Sequence, residues 1–347
     1  MVRIGGRVIG EPVRRAVLPD GPPLLLVVVD TEEEFDWGRP FDRGSVAVTA
    51  MQVQHRAQEI FDAHGVKPTY VIDYPVASTP ESVAVLARFH QDGRCQIGAH
   101  LHPWVNPPHD EAVTTHNSYP GNLDPALERA KLAALGAAIE AGFGFAPTIY
   151  KAGRYGVGRA TAATLRELGY RIDMSAVPHT DFGADGGPDF RGLPDTPHWI
   201  GTGETLLEIP LSRGFSGGLA RLGPALYDRL AAPAWARLPG ICARLGLLER
   251  ATLTPEGVDS AAHLRLLDAM RHQGHHVFTL NYHSPSLAPG HTPYVRSEDD
   301  LARFLAAIRG FLAHFLGPFG GRAATPGEVW ALAGGGAPPA GTGAGAG

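Results

Sequence analysis

Four short segments of this chain place ionisable side chains at the ends of apolar runs, where they could meet in one cleft. In VVVDTEEEFDW the apolar run ends at Asp30 and is followed by Glu32, Glu33, Glu34 and Asp36. Side chains two apart on extended backbone point the same way, so Asp30 and Glu32 share a face if the strand persists that far. One carboxylate could then hold a metal while the other takes a proton, as hydrolysis near neutral pH requires. The plainer alternative is a solvated acidic loop. In IGAHLHPWVNPP the same spacing puts His100 and His102 on one side, and Pro103 stops the strand. Two histidines and one carboxylate leave a position open for water, the pattern of a catalytic metal site; alternatively one histidine is a buried, hydrogen-bonded residue and the other is exposed.

YKAGRYGVG carries Lys151 and Arg154 after a third strand, with glycines that permit close backbone approach. A fixed cation beside a carboxylate keeps it ionised, although a strand-to-helix turn also needs glycine. His283, in TLNYHSPSLAPGHTPYV, stands at the tip of the last strong strand and could protonate a leaving amine. His275, His276 and His291 are expected at the surface. Ser284 and Ser286 follow His283, but no G-x-S-x-G elbow occurs, nor a Walker A sequence, a strand-linked G-x-G-x-x-G or an H-E-x-x-H. Serine-hydrolase, nucleotide, dinucleotide and zincin readings lose their support.

The elements that must position these groups alternate along the chain. Strands are expected at 24–30, 69–73, 95–102, 148–152, 170–174, 205–211 and 276–283. Helices are expected at about 49–64, 80–91, 124–141, 158–168, 259–272 and 298–316. Alternating strands and helices imply an α/β protein with a largely parallel sheet, either a barrel or an open doubly wound sheet. Both place their chemistry at the C-terminal ends of the strands. Residues 1–20 are read as an arm, 21–333 as the folded unit, and 334–347 as a Gly/Ala/Pro tail too poor in apolar surface to order itself.

Composition narrows the function further. Of 347 residues, 44% are hydrophobic and 19% charged, with a net charge of −5 that gives no general attraction to nucleic acid. Lys occurs only at Lys67, Lys131 and Lys151 among 30 basic residues. Cys95 and Cys242 are too few for a disulfide framework or a Cys-rich zinc site, so any metal falls to His and carboxylates. No stretch has the length of a membrane span or a signal-peptide core, which gives the expectation of a cytoplasmic protein.

Together, VVVDTEEEFDW, IGAHLHPWVNPP, KAGRYG, YRIDMSAVP and NYHSPSLAPGHTPYV resemble, in order, the catalytic motifs of the polysaccharide-deacetylase (NodB-homology, carbohydrate esterase family 4-like) superfamily. They look closest to its WalW-like branch, found with polysaccharide and lipopolysaccharide biosynthesis genes. The resemblance covers about residues 22–316. It implies a distorted (β/α) barrel of about seven parallel strands and one divalent metal, zinc first, with cobalt, nickel or manganese as alternatives. It also implies hydrolysis of an N-acyl group on a sugar or polysaccharide precursor. Asp30 would be the base, Glu32 and His100 metal ligands, and His283 the acid that protonates the amine. The family's second histidine falls here near Trp104, which makes His102 the substitute ligand and leaves His109 and His116 as alternatives. Lys151 stands where relatives carry an arginine that pairs with the base, a role Arg154 could have taken over, and Asp173 matches the carboxylate that orients the acid. Trp37, Trp104 and Tyr119 are candidates for stacking on a sugar ring. Rival readings are a carbohydrate-binding or regulatory protein of this fold without turnover, a glycosyltransferase, and, more weakly, a phosphoesterase. Residues 212–257 match no motif and could shape the cleft.

Overall fold

Leu24–Thr31 is buried at every position, as a run of eight residues that are all apolar or β-branched except Asp30 requires. In a computed structural model, which describes residues 8–36, 38–230 and 238–335, this segment is an interior strand of a large sheet. The strands are β1 (Val13–Arg15), β2 (Leu24–Thr31), β3 (Thr69–Ile72), β4 (Gln96–Leu101), β5 (Ile149–Ala152), β6 (Ile172–Asp173), β7 (His198–Ile200), β8 (Leu207–Glu208), β9 (Arg213–Ser216), β10 (Glu249–Thr252), β11 (Val277–His283) and β12 (Arg322–Ala323). Their order in the main sheet is β1-β7-β8-β6-β5-β4-β3-β2-β11, with β12 also on β2 and with β9 and β10 forming a separate antiparallel pair. From β8 to β11 every pairing is parallel, a run of seven strands. The α/β expectation with about seven parallel strands is met.

The barrel is distorted where β8 and β11 should meet. Pro210 cannot donate to a ladder, so the expected strand at 205–211 shortens to Leu207–Glu208. Beyond it, Ser212 N donates to Thr279 Oγ1 at 2.7 Å, Thr279 N donates to Ser212 Oγ at 2.8 Å, and Asn281 N donates to Leu253 O at 3.1 Å. Side-chain hydroxyls and a passing loop thus satisfy the backbone of β11 in place of a strand partner.

Helices cover the outside. Pro125–Phe143 starts at Asp124, whose carboxylate accepts from Ala126 N at 2.9 Å, and stops at Gly144, whose φ of 82° suits glycine. Glu298–Leu316 opens on a Ser297/Asp300 capping box and buries Leu301, Phe304, Ile308, Phe311, Leu312 and Phe315 at helical spacing. The expected helix at 49–64 is instead a 3-10 turn, Thr49–Val53, followed by an α-helix, His55–Ala63.

The arm is a second correction. Val8 and Ile9 are 5% exposed, and β1 pairs antiparallel with β7, so residues 8–16 belong to the fold; without them β7 would present an unpaired edge. Of the expected C-terminal tail, 336–347 lie outside the described residues. Within 212–257, beside the β9–β10 pair, stand two short helices, Gly223–Leu230 and Leu238–Arg244.

Candidate active site

Strand register brings the four segments to one level. Asp30 is paired with His283 across β2 and β11, and His100 with Lys151 across β4 and β5, all within two residues of a C-terminal strand end. The cavity above them, about 500 Å³, has Asp30, Glu32, His100, His102 and His283 at its base. Phe35, Phe41, Trp104, Tyr119, Tyr155 and Phe182 form most of its walls.

The three consecutive glutamates after β2 do three different things. Glu32, 5% exposed, points its Oε2 at both imidazoles, 3.4 Å from His100 Nε2 and 3.5 Å from His102 Nε2. Glu33 lies behind the site. Its Oε2 is 2.7 Å from His102 Nδ1, its Oε1 accepts from Trp104 Nε1 at 2.9 Å, and its backbone N–H donates to Asp73 Oδ2 at 2.7 Å. Glu34 turns away to accept from Ala50 N at 2.7 Å and Thr49 Oγ1 at 2.5 Å, which starts the 3-10 turn. The three glutamates are therefore not part of a solvated loop, because each has its own backbone or ring partners, whereas Asp36 is exposed.

These residues fit a divalent cation. His100 Nδ1 lies 2.9 Å from the Lys151 carbonyl oxygen, which can only accept, so the proton sits on Nδ1 and the lone pair on Nε2. His102 is held in the same tautomer by Glu33. Burial pulls both imidazoles down to about 4, which keeps them neutral at physiological pH, as ligands must be. Burial also pushes Glu32 up to about 7, against the pull of His283 and His102, a cost that a cation would remove. One ligand atom from each of Glu32, His100 and His102 lies within 4.8 Å of the others. His109 and His116 are exposed and belong to no such cluster among the described residues, so the geometry favours His102. Gly153 makes room for that ring, since a Cβ there would come within 2.3 Å of His102 Cδ2 and of the Leu101 carbonyl oxygen. Trp104 stacks on it at 4.4 Å and 23°.

On one side of this trio, Lys151 Nζ donates to both oxygens of Asp30, at 2.6 and 2.5 Å, and Asn281 Nδ2 donates to Oδ1 at 3.1 Å. Burial would raise the carboxyl, but Lys151 foremost brings it down to about 2. Lys151 thus holds the Asp30 carboxylate, and Arg154 does not. Arg154 donates to Ser118 Oγ at 2.6 Å and lies 4.1 Å over the Tyr119 ring and 5.1 Å over Phe41. It lines the cavity away from Asp30.

On the other side, His283 Nε2 is 3.8 Å from Asp30 Oδ2, while its Nδ1 lies 2.7 Å from Glu256 Oε2. Glu256 also accepts from His283 N at 3.1 Å and Ser286 Oγ at 2.5 Å. Burial lowers the imidazole, but Glu256, then Glu32 and Asp30, lift it to about 10, so it carries a proton to donate. Asp173 is not the orienting carboxylate. Its Oδ1 accepts from Ser175 N at 3.1 Å on β6, beside the buried Glu208 of β8, and it has no bond to the His283 ring, whose Nδ1 meets Glu256.

Trp104 and Tyr119 line the cavity as expected, and Trp37 lies outside the described residues. His276 is exposed, but His275 is buried 3.4 Å from Asp195, and His291 is half-buried 3.4 Å from Glu34. Sequence reasoning missed Glu33, Asp73, Asn281 and Glu256. Asp73 had a signal, an aspartate ending an apolar strand; Glu256 had none, since it arrives from the 212–257 segment.

No family model matches this chain, and no curated protein matches it. Among solved structures, a candidate polysaccharide deacetylase from Mycobacterium smegmatis is 18% identical with a TM-score of 0.53, over 92% of this chain and 94% of that one. A chitin deacetylase from Colletotrichum lindemuthianum is 15% identical, TM-score 0.38, over 92% and 91%. A carbohydrate esterase family 4 pseudoenzyme from Bacillus anthracis is 11% identical, TM-score 0.43, over 89% and 66%. The first of these likenesses establishes the fold, a distorted α/β barrel.

Proposed function

We propose that this protein is a metal-dependent hydrolase that removes an N-acyl group, acetyl in the simplest case, from a sugar or polysaccharide precursor. One observation carries the reading: Glu32, His100 and His102, a buried trio that could hold a cation, line one cavity together with Asp30, anchored by Lys151, and His283.

A divalent cation held by Glu32, His100 and His102 would supply Lewis-acid polarisation of an amide carbonyl and a water molecule. Asp30 receives the proton of the attacking water, and Lys151 with Asn281 keeps its oxygens aimed while it does so. His283 gives its Nε2 proton to the departing amine nitrogen, and Glu256 at Nδ1 orients the ring and stabilises the imidazolium. The aromatic walls suit the apolar face of a sugar and exclude water from the reacting bond.

The test combines metal content with acetate release. Protein purified without chelator should hold about one divalent ion per chain, the fit for one two-histidine, one-carboxylate site. The ion should be lost in His100→Ala and His102→Ala, and acetate should be released from N-acetylated amino sugars. Absence of bound ion after addition of zinc, cobalt, nickel or manganese would sink this reading.

A second reading, a sugar-binding protein without turnover, draws on one observation. Asp30 is bound through both oxygens by Lys151 and sits at about 2, which makes it a weak base. Saturable sugar binding with no acetate release from metal-loaded protein would select it.

A further inference from the structure

The 212–257 segment gives Glu256 to the site but keeps a second feature that the proposed chemistry does not use. Among the described residues ten large hydrophobics are exposed, and five of them, Leu219, Leu222, Ile241, Leu245 and Leu247, fall in this one segment. They adjoin one another. Leu219 N donates to the Leu247 carbonyl at 2.8 Å, Leu222 N to the Leu219 carbonyl at 2.9 Å, and Leu245 N to the Ile241 carbonyl at 3.0 Å. Their exposures, from 37% to 66%, mark an apolar surface that nothing in the chain covers among the described residues.

The unpaired charge around this surface is positive. The described residues of 217–250 hold four arginines, no lysine and two acids, in a chain whose net charge is −5. Both acids are already paired, Asp228 with Arg191 at 3.2 Å and Glu249 with Arg265 at 2.8 Å. Arg250 is used internally, over the Tyr227 ring at 4.3 Å and on the His179 carbonyl at 2.9 Å. Arg221, Arg229 and Arg244 are exposed and make no ion pair among the described residues. Exposed aliphatic side chains interleaved with unpaired arginines are the composition that seats a surface at the boundary between lipid headgroups and acyl chains.

We propose that this face docks the protein on an anionic membrane surface, with the leucines entering the headgroup layer and Arg221, Arg229 and Arg244 meeting lipid phosphates. Charge argues against a second copy of the same chain, because a two-fold contact through this face would set arginine against arginine. No helix among the described residues is long and apolar enough to cross a membrane, so the contact is peripheral. Each unpaired arginine near a negatively charged bilayer contributes roughly a fivefold gain in partitioning, a gain that salt screens.

Cosedimentation of the full chain with vesicles tests this, using phosphatidylcholine alone and phosphatidylcholine with roughly one third phosphatidylglycerol. The wild type is expected to bind the anionic vesicles, to bind the neutral ones at least tenfold less, and to be released by high salt. Arg221→Glu with Arg244→Glu, and separately Leu222→Glu with Leu245→Glu, should each reduce binding about tenfold or more while thermal melting stays unchanged. Equal binding to both vesicles, or none, overturns the proposal. So does light scattering that shows a dimer dispersed by the leucine pair, which would assign the face to a second copy. The salt dependence of the wild type decides the matter even if a variant fails to fold, and every readout is independent of hydrolysis.

Discussion

In the proposed hydrolysis His283 would serve as the acid only with Glu256 behind it. The Glu256 carboxylate at 2.7 Å from Nδ1 is the chief force that keeps the ring charged, against a burial that would strip its proton. Replacing His283 by Asn should lower kcat by about 10²- to 10⁴-fold, the usual range for a lost acid. Glu256→Gln should lower the imidazole's pKa, so the alkaline limb of the kcat/KM profile moves to lower pH. A limb that stays in place would separate Glu256 from the acid. Gly153 works through space instead. A methyl group there would collide with the His102 ring and the Leu101 carbonyl, so Gly153→Ala is expected to cost about 1–3 kcal/mol of stability and to reduce bound metal. Full metal content in that variant would show that the ring has room to move.

Among the elements, β2 distributes three neighbouring carboxylates to three directions because it ends as it passes them. Up to Thr31 the alternation of the strand holds; after it, contacts with β3, β4 and the 3-10 turn decide. The helix Pro125–Phe143 carries a different buried carboxylate, Glu128, which accepts from Thr161 Oγ1 at 2.6 Å. Burial raises it to about 7 from 4.5, with Thr161 opposing and Asp173 adding. Over that window the unfolded chain ionises first, so stability falls as pH rises from about 4.5 to about 7 and is level above. Glu128→Gln lacks this penalty. Its melting temperature should gain on the wild type between about pH 5 and pH 8, by the equivalent of up to about 3 kcal/mol. Parallel curves for the two proteins would count against the raised carboxyl.

For the whole molecule, the proposed cation site would also be a clasp. Its ligands come from the segment after β2 and from β4 and its continuation, and their supports come from β3 and β5, so a bound ion ties neighbouring strands together at one end of the barrel. An ion present at about a hundred times its dissociation constant should stabilise the fold by about 3 kcal/mol. Melting scans with and without chelator would read this. The increment should vanish in His100→Ala, and an equal increment there would place the ion elsewhere.

Alternation and spacing alone determined much of this. The buried run before Asp30, the histidines two apart and the strand tip at His283 are local patterns, and local backbone geometry turns them into shared faces. The order of strands and helices likewise determined the α/β class. Only the tertiary structure decided which cation holds Asp30, because Lys151 and Arg154 differ by three residues in sequence but one lies on β5 and the other in the 3-10 turn after it, with different partners. It alone replaced Asp173 by Glu256, since Asp173 is held on β6 by Ser175 while the 253–256 loop packs along β11 and bonds His283. It also drew residues 8–16 into the sheet, where an open edge needed a partner. Contacts between distant segments leave no periodic trace in a sequence; they exist only once the chain has closed on itself.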